Sequence, residues 1–198
     1  MSEYIKFSCE RIAAPAIAFA GFDELNKYRS KLRELGLIGM DANGIGFGNL
    51  SVRDHANGFH ITGSGTGGLA QLAPADFTKV VASDFAKNWL RCEGPVIASS
   101  ESLTHAAVYE SEPKAGAVIH CHNANVWKAL VDLAPTTSKT AAYGTPEMAY
   151  EVRRLFKTSD VKARKILVMA GHEGGIVTFG KDIAEAFAVL EREMSADH

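Results

Sequence analysis

The chain is 198 residues long, 46% hydrophobic and 22% charged, with a formal net charge of −2. That size and mix describe one domain with a sizeable core and call for no second one. The near-neutral charge gives no broad attraction to nucleic acid or acidic lipid, and no stretch approaches the roughly 20 apolar residues of a membrane span, so neither partner is expected.

Residues 1–20 read as an N-terminal arm, in which 4–11 alternate weakly as a strand or extended segment. Residues 12–20 are apolar and end in an A-x-A-like pattern. Glu3 and Glu10 spoil the positive flank of a signal peptide and Pro15 interrupts its apolar run, so a cytoplasmic location is expected. Over 23–35, Leu25, Tyr28, Leu32 and Leu35 recur at helical spacing, and Gly36 is a natural stop. Segments 47–53 and 59–62 predict strands joined by a polar turn, and 77–82 with 86–91 a second pair. A helix over 101–111 follows Ser99 and Ser100, with Leu103, Ala106, Ala107 and Tyr109 for its buried face. The apolar run 117–119 predicts a strand leading into His120. Helices at 124–133 and 146–157, strands at 166–170 and 176–179, and a closing helix at 182–193 complete the chain. Hairpin-like pairs mixed with single helices predict a single α/β domain, a central mainly antiparallel sheet flanked by helices.

Cys9, Cys92 and Cys121 are few, odd in number and widely spaced. They suggest no disulfide framework but three buried or partly buried thiols.

The chemistry centres on His120-Cys121-His122 at a strand end. Strand side chains alternate faces, so both imidazoles project from one side and Cys121 from the other. Two neutral ring nitrogens placed this way suit a divalent metal, and His172, after a second apolar strand, can supply a third. On spacing alone, ordinary surface or core histidines explain the pattern as well. Glu101 stands in the first turn of a helix, where the dipole already favours a carboxylate; alternatively it faces the metal as a fourth ligand or proton-transfer group. Gly48-Asn49-Leu50-Ser51, Thr62-Gly63-Ser64-Gly65 and Ser99-Ser100 are polar loops suited to an anion, or to ordinary turn and cap chemistry. The glycines from Gly44 to Gly48 precede a strand instead of following one, which rejects a dinucleotide loop.

In this order the pieces resemble the class II aldolase/adducin family, which includes zinc-dependent sugar-phosphate aldolases and epimerases. Ala98-Ser99-Ser100-Glu101, 117–122, Tyr143-Gly144-Thr145-Pro146-Glu147 and Gly171-His172 carry the resemblance beside the two loops. It implies an aldolase-like α/β sandwich, usually a homotetramer. It also implies His120, His122 and His172 as ligands of zinc (or manganese, cobalt or iron), with Glu101 as further ligand and proton carrier. Asn49, Thr62, Ser64, Gly65, Ser99 and Ser100 would hold the phosphate of a small phosphorylated substrate. The implied reaction makes or breaks a C–C bond through a metal-stabilised enediolate, with epimerase, decarboxylase or dehydratase activity as alternatives. A non-catalytic adducin-like module would lack the three histidines. The chain departs from the family in four places, one being Gly63 where the family loop commonly carries a proline. Residues 123–143 look too short for the loop that carries the aldolase tyrosine, no closing tail follows Met194, and Glu173 adds a carboxylate beside His172. His105, one turn after Glu101, reads as a packed or supporting histidine.

Overall fold

Runs of apolar residues too short for helices have to be covered on both faces, and that requirement organises the molecule. The computed structural model describes residues 6–16 and 18–196. In chain order the elements are β1 (Ser8–Ile12), α1 (Phe22–Glu34), β2 (Gly39–Met40), β3 (Gly46–Phe47), β4 (Asn49–Arg53), β5 (Phe59–Thr62), β6 (Phe77–Asp84), β7 (Trp89–Glu93), α2 (Ser102–Ser111), β8 (Ala117–His122), α3 (Ala124–Leu130), α4 (Pro146–Thr158), α5 (Val161–Arg164), β9 (Ile166–Val168), β10 (Gly175–Gly180) and α6 (Ile183–Ser195). One sheet runs β1-β7-β6-β5-β4-β8-β10-β9, and β2 pairs with β3 apart from it. Among these strand pairs only β1 with β7 is parallel. This is the α/β domain with a mainly antiparallel sheet that the hairpin spacing predicts.

β8 shows why the sheet needs two layers of cover. Val118 enters a core built with Leu103, Ala107 and Val108 of α2 and Met148, Val152 and Leu155 of α4. Its neighbours Ala117, Ile119 and Cys121 enter the opposite core, with Leu25 and Leu32 of α1 and Phe187 and Leu190 of α6. A strand buried on both faces reads as a continuous apolar run, which is how 117–119 appears in the sequence. The covering helices start where their caps say. Thr145 accepts the Met148 N–H with Pro146 in the first turn, and Asp182 accepts the Glu185 N–H.

Several boundaries differ from expectation. The strand expected over 47–53 breaks at Gly48, whose φ of 76° suits glycine; a Cβ there would lie 2.3 Å from Ile38 Cγ2. Phe47 therefore joins the β2–β3 hairpin. β7 begins at Trp89 because residues 85–88 turn, with Asn88 N–H donating to Phe85 O at 3.1 Å. The helix expected to reach 133 ends at Leu130, and Asp132 turns the chain with φ 69°. In the arm, residues 8–12 form an edge strand, while positions 4 and 5 of the expected segment lie outside the described residues.

One buried cation ties α1 to a glycine-rich loop. Arg29 is 2% exposed, and its guanidinium donates to Thr66 O at 2.9 Å and Leu69 O at 2.8 Å, with longer bonds to Gly67 O and Ala70 O. Four carbonyls, which would otherwise be partly desolvated, stand in for a counter-ion. Arg29→Ala is expected to lower unfolding free energy by roughly 3 kcal/mol in a guanidinium titration. A loss below about 0.5 kcal/mol would mean water replaces those bonds and the tie contributes little.

Candidate functional site

The two histidines of β8 project as strand alternation requires. Their rings share one face while Cys121 points into the core on the other. β8 lies between β4 and β10, with His120 opposite Asn49 and Val177, and His122 opposite Gly175. The turn between β9 and β10 returns His172 to them. Its N–H donates to Met169 O at 3.1 Å, and its carbonyl accepts the Gly175 N–H at 2.8 Å. Gly171 is required there, because a Cβ would stand 2.0 Å from Ala141 O.

His122 Nε2 is 3.2 Å from His120 Nε2 and 2.9 Å from His172 Nε2. Three nitrogens each about 2.1 Å from one tetrahedral ion stand about 3.4 Å from one another, so these two spacings suit a shared metal, and all three ligand atoms lie within 4.8 Å of one another. The tautomer fits as well. His120 Nδ1 lies 3.2 Å from Ile176 O, which accepts its N–H and leaves the Nε2 lone pair facing the other rings. Burial pushes His120 well below the usual histidine range, His122 to about 4 and His172 to about 3. All three are therefore neutral, the form that ligates metal.

Glu101 is the N-cap residue of α2, but its side chain makes no cap bond. The helix dipole alone is therefore a poor account of it. It is 1% exposed, Oε2 accepts the Thr104 hydroxyl at 2.7 Å, and Oε1 is buried without a hydrogen-bond partner among the described residues. Burial outweighs the Thr104 bond and raises its pKa to about 7. His105, one turn on, shares a 2.7 Å hydrogen bond with Ser51 through Nδ1, and Ser51 meets Tyr109 OH at 2.8 Å. It is fully buried, does not line the cavity and packs as a supporting histidine.

Glu101 and the three histidines line one cavity of about 550 Å³. Asn49, Ser64, Gly65, Ser99 and Ser100 line it too. Asn49 Oδ1 is a second buried acceptor left unpaired among the described residues. Thr62 departs from this group. It is 2% exposed, does not line the cavity, and its hydroxyl accepts the Leu50 N–H at 3.3 Å, so it joins β4 to β5 instead. Glu173 is exposed and also outside the lining.

Among the lining residues are some to which the sequence alone assigned no site role. Tyr143 packs its ring 4.6 Å from that of His172. Phe47 stands 5.5 Å from the His122 ring. Asp41 accepts the N–H groups of Asn43 at 2.9 Å and Ile45 at 2.8 Å, shaping the tip of the β2–β3 hairpin over the cavity. The signal for that hairpin was present in Asp41-Ala42-Asn43-Gly44, a turn sequence between two short apolar segments.

The chain matches the family described as class II aldolase and adducin N-terminal domain over residues 33–194, and it belongs to that family. An L-fuculose 1-phosphate aldolase structure is 25% identical with a TM-score of 0.66, covering 90% of this chain and 84% of that one. The L-fuculose-1-phosphate aldolase of Thermus thermophilus is 25% identical with a TM-score of 0.59, over 87% and 85% of the two chains. YgbL of Klebsiella pneumoniae, described as a putative aldolase/epimerase/decarboxylase, shares the fold at 18% identity and a TM-score of 0.66, over 87% and 84%. No curated protein sequence matches the chain.

His122→Ala removes the nitrogen nearest both others. By plasma mass spectrometry of protein purified with added zinc, metal is expected to fall from about one equivalent to below a tenth. Unchanged metal would place the site elsewhere.

Proposed function

We propose that this chain is a metal-dependent lyase of aldolase type, cleaving or forming a C–C bond in a small phosphorylated sugar or keto compound. The observation that carries the reading is the convergence of three neutral imidazole nitrogens and the unpaired Glu101 oxygen on one cavity. His120, His122 and His172 would hold a divalent ion, with Glu101 as a fourth ligand in the resting state. Zinc suits an all-nitrogen set completed by a carboxylate, and manganese, cobalt or iron suit it too. Once bound, such an ion supplies Lewis-acid stabilisation of negative charge developing on neighbouring substrate oxygens.

The chain's own groups divide the remaining work. The Asn49 amide, the Ser64, Ser99 and Ser100 hydroxyls and the Gly65 N–H would hold the phosphate, aided by the N-terminus of α2. Glu101 would carry a proton to and from the carbon that turns nucleophilic, since a carboxyl poised near neutrality both gives and takes protons there. Tyr143 would offer its hydroxyl to the aldehyde oxygen, the role left open by the short 123–143 segment. The hairpin tip near Asp41 would limit water at the reacting carbon.

That short segment also supports a second reading, in which the same groups epimerise, decarboxylate or dehydrate. Each of those reactions also needs negative charge stabilised on an oxygen beside the reacting carbon, which the same groups would supply. A homotetramer and a cytoplasmic location belong to this proposal, and light scattering at elution tests the first. No helix among the described residues is long and apolar enough to cross a membrane.

The test is turnover of a panel of ketose 1-phosphates, including L-fuculose 1-phosphate, by zinc-loaded protein, read as release of dihydroxyacetone phosphate. Glu101→Gln is expected to lower kcat by about 10²- to 10⁴-fold. Tyr143→Phe should cost at least about tenfold while the metal content stays near one equivalent. A metal-loaded chain that turns over none of the panel, and exchanges no substrate C–H proton with deuterated water, would overturn the enzyme reading.

A further inference from the structure

Two cysteines separated by 83 residues meet at the sheet edge. Cys9 Sγ on β1 is 3.4 Å from Cys92 Sγ on β7. In that parallel ladder Cys9 stands opposite Leu90 and Cys92 opposite Arg11, so the thiols are diagonal neighbours. Both turn to the face covered by α2 and α4. Cys92 is fully buried in that core, and Cys9 packs against it while keeping part of its surface open. Cys121, the third thiol, sits in the core on the opposite face.

We propose that Cys9 and Cys92 form a reversible oxidative modification site, a dithiol that closes to an intramolecular disulfide when it meets a peroxide. A disulfide needs its sulfurs about 2.05 Å apart, so the pair has to close by roughly 1.4 Å. Side-chain rotation and the give of an edge strand held on one side only can supply that movement.

The electrons and atoms balance with the peroxide as sole co-reactant. One thiolate attacks the O–O bond, giving a sulfenic acid and hydroxide; the second sulfur then attacks the first and expels its oxygen. In total two S–H bonds and the O–O bond break, one S–S bond forms, and two waters leave. The surroundings favour the first step. The Cys9 S–H contact and the Arg11 charge lower the Cys92 thiol, while the same contact and burial raise Cys9.

The bond would anchor β1 covalently, and β1 leads directly to the cavity. Phe7 is buried under α2 and α4, and Lys6 Nζ lies 3.6 Å from the centroid of the Tyr143 ring. The oxidation state of the pair thus bears on how firmly Lys6 is held against a cavity residue. This inference does not depend on the reaction proposed above.

The experiment treats the whole reduced protein with hydrogen peroxide in the presence of a chelator, then alkylates, weighs and maps it. Expected are a loss of about 2 Da before alkylation, a linked Cys9–Cys92 peptide, one alkylated thiol at Cys121, and reversal by dithiothreitol. Oxidised protein should melt several degrees higher, because the bond closes a long loop of the unfolded chain. Cys9→Ala, a change at a partly open position, should abolish the mass loss and the melting shift. Three alkylated thiols after oxidation, a link that includes Cys121, a cross-link between chains, or sulfinic acid on one cysteine with the other thiol intact would each overturn the proposal.

Discussion

The ladder of β8 between β4 and β10 is the constraint on which everything else depends. Registers on both sides are fixed, so a slip by one residue would turn His120 into the α1–α6 core and Cys121 into the cavity. Such a slip would bury an imidazole among Leu25, Ile176 and Phe187 without its carbonyl partner, at a cost of a few kcal/mol. The apolar pattern of one strand therefore aims two ring nitrogens, and the turn after β9 brings the third to meet them.

Around that point the molecule tolerates polar groups that a core optimised for stability would reject. Glu101 Oε1, Asn49 Oδ1 and His105 Nε2 are buried with no hydrogen-bond partner among the described residues. Each such atom costs roughly 1–3 kcal/mol. Two of the three residues line the cavity, and His105 follows Glu101 by one helical turn. The unpaired Glu101 and Asn49 oxygens on the cavity wall suit a surface prepared for a ligand, with stability recovered in the two apolar layers on either side.

Much of this was legible in the residues, for reasons of scale. β8, α1, α4 and α6 carry their period within one element, and the caps at Thr145 and Asp182 act over three residues, so local chemistry reveals them. The three histidines emerged because alternation and a turn are local as well. What stayed hidden depends on separation in sequence. Nothing in Thr62 itself says that its hydroxyl turns to Leu50 and away from the cavity. Tyr143 could not be placed before the fold put its ring against His172. Nor could the spacing of Cys9 and Cys92 show that they touch, since a parallel pairing across the sheet edge leaves no short-range trace. Nothing in the sequence sets Arg29 apart from the other cations of α1, yet it closes the carbonyls of a loop about 40 residues later.

That parallel pairing of β1 has a consequence in time. Ser8 pairs with Trp89, so β1 leaves the ribosome and waits for a partner synthesised 81 residues later. At roughly 5–20 residues per second the wait is about 4–16 s, long beside the microseconds a local hairpin such as β6–β7 takes to form. Throughout it Phe7 and Cys9 have no core to enter. Docking of this strand thus waits on β7 by the order of synthesis, and the helices α2 and α4 that cover Phe7 follow later still.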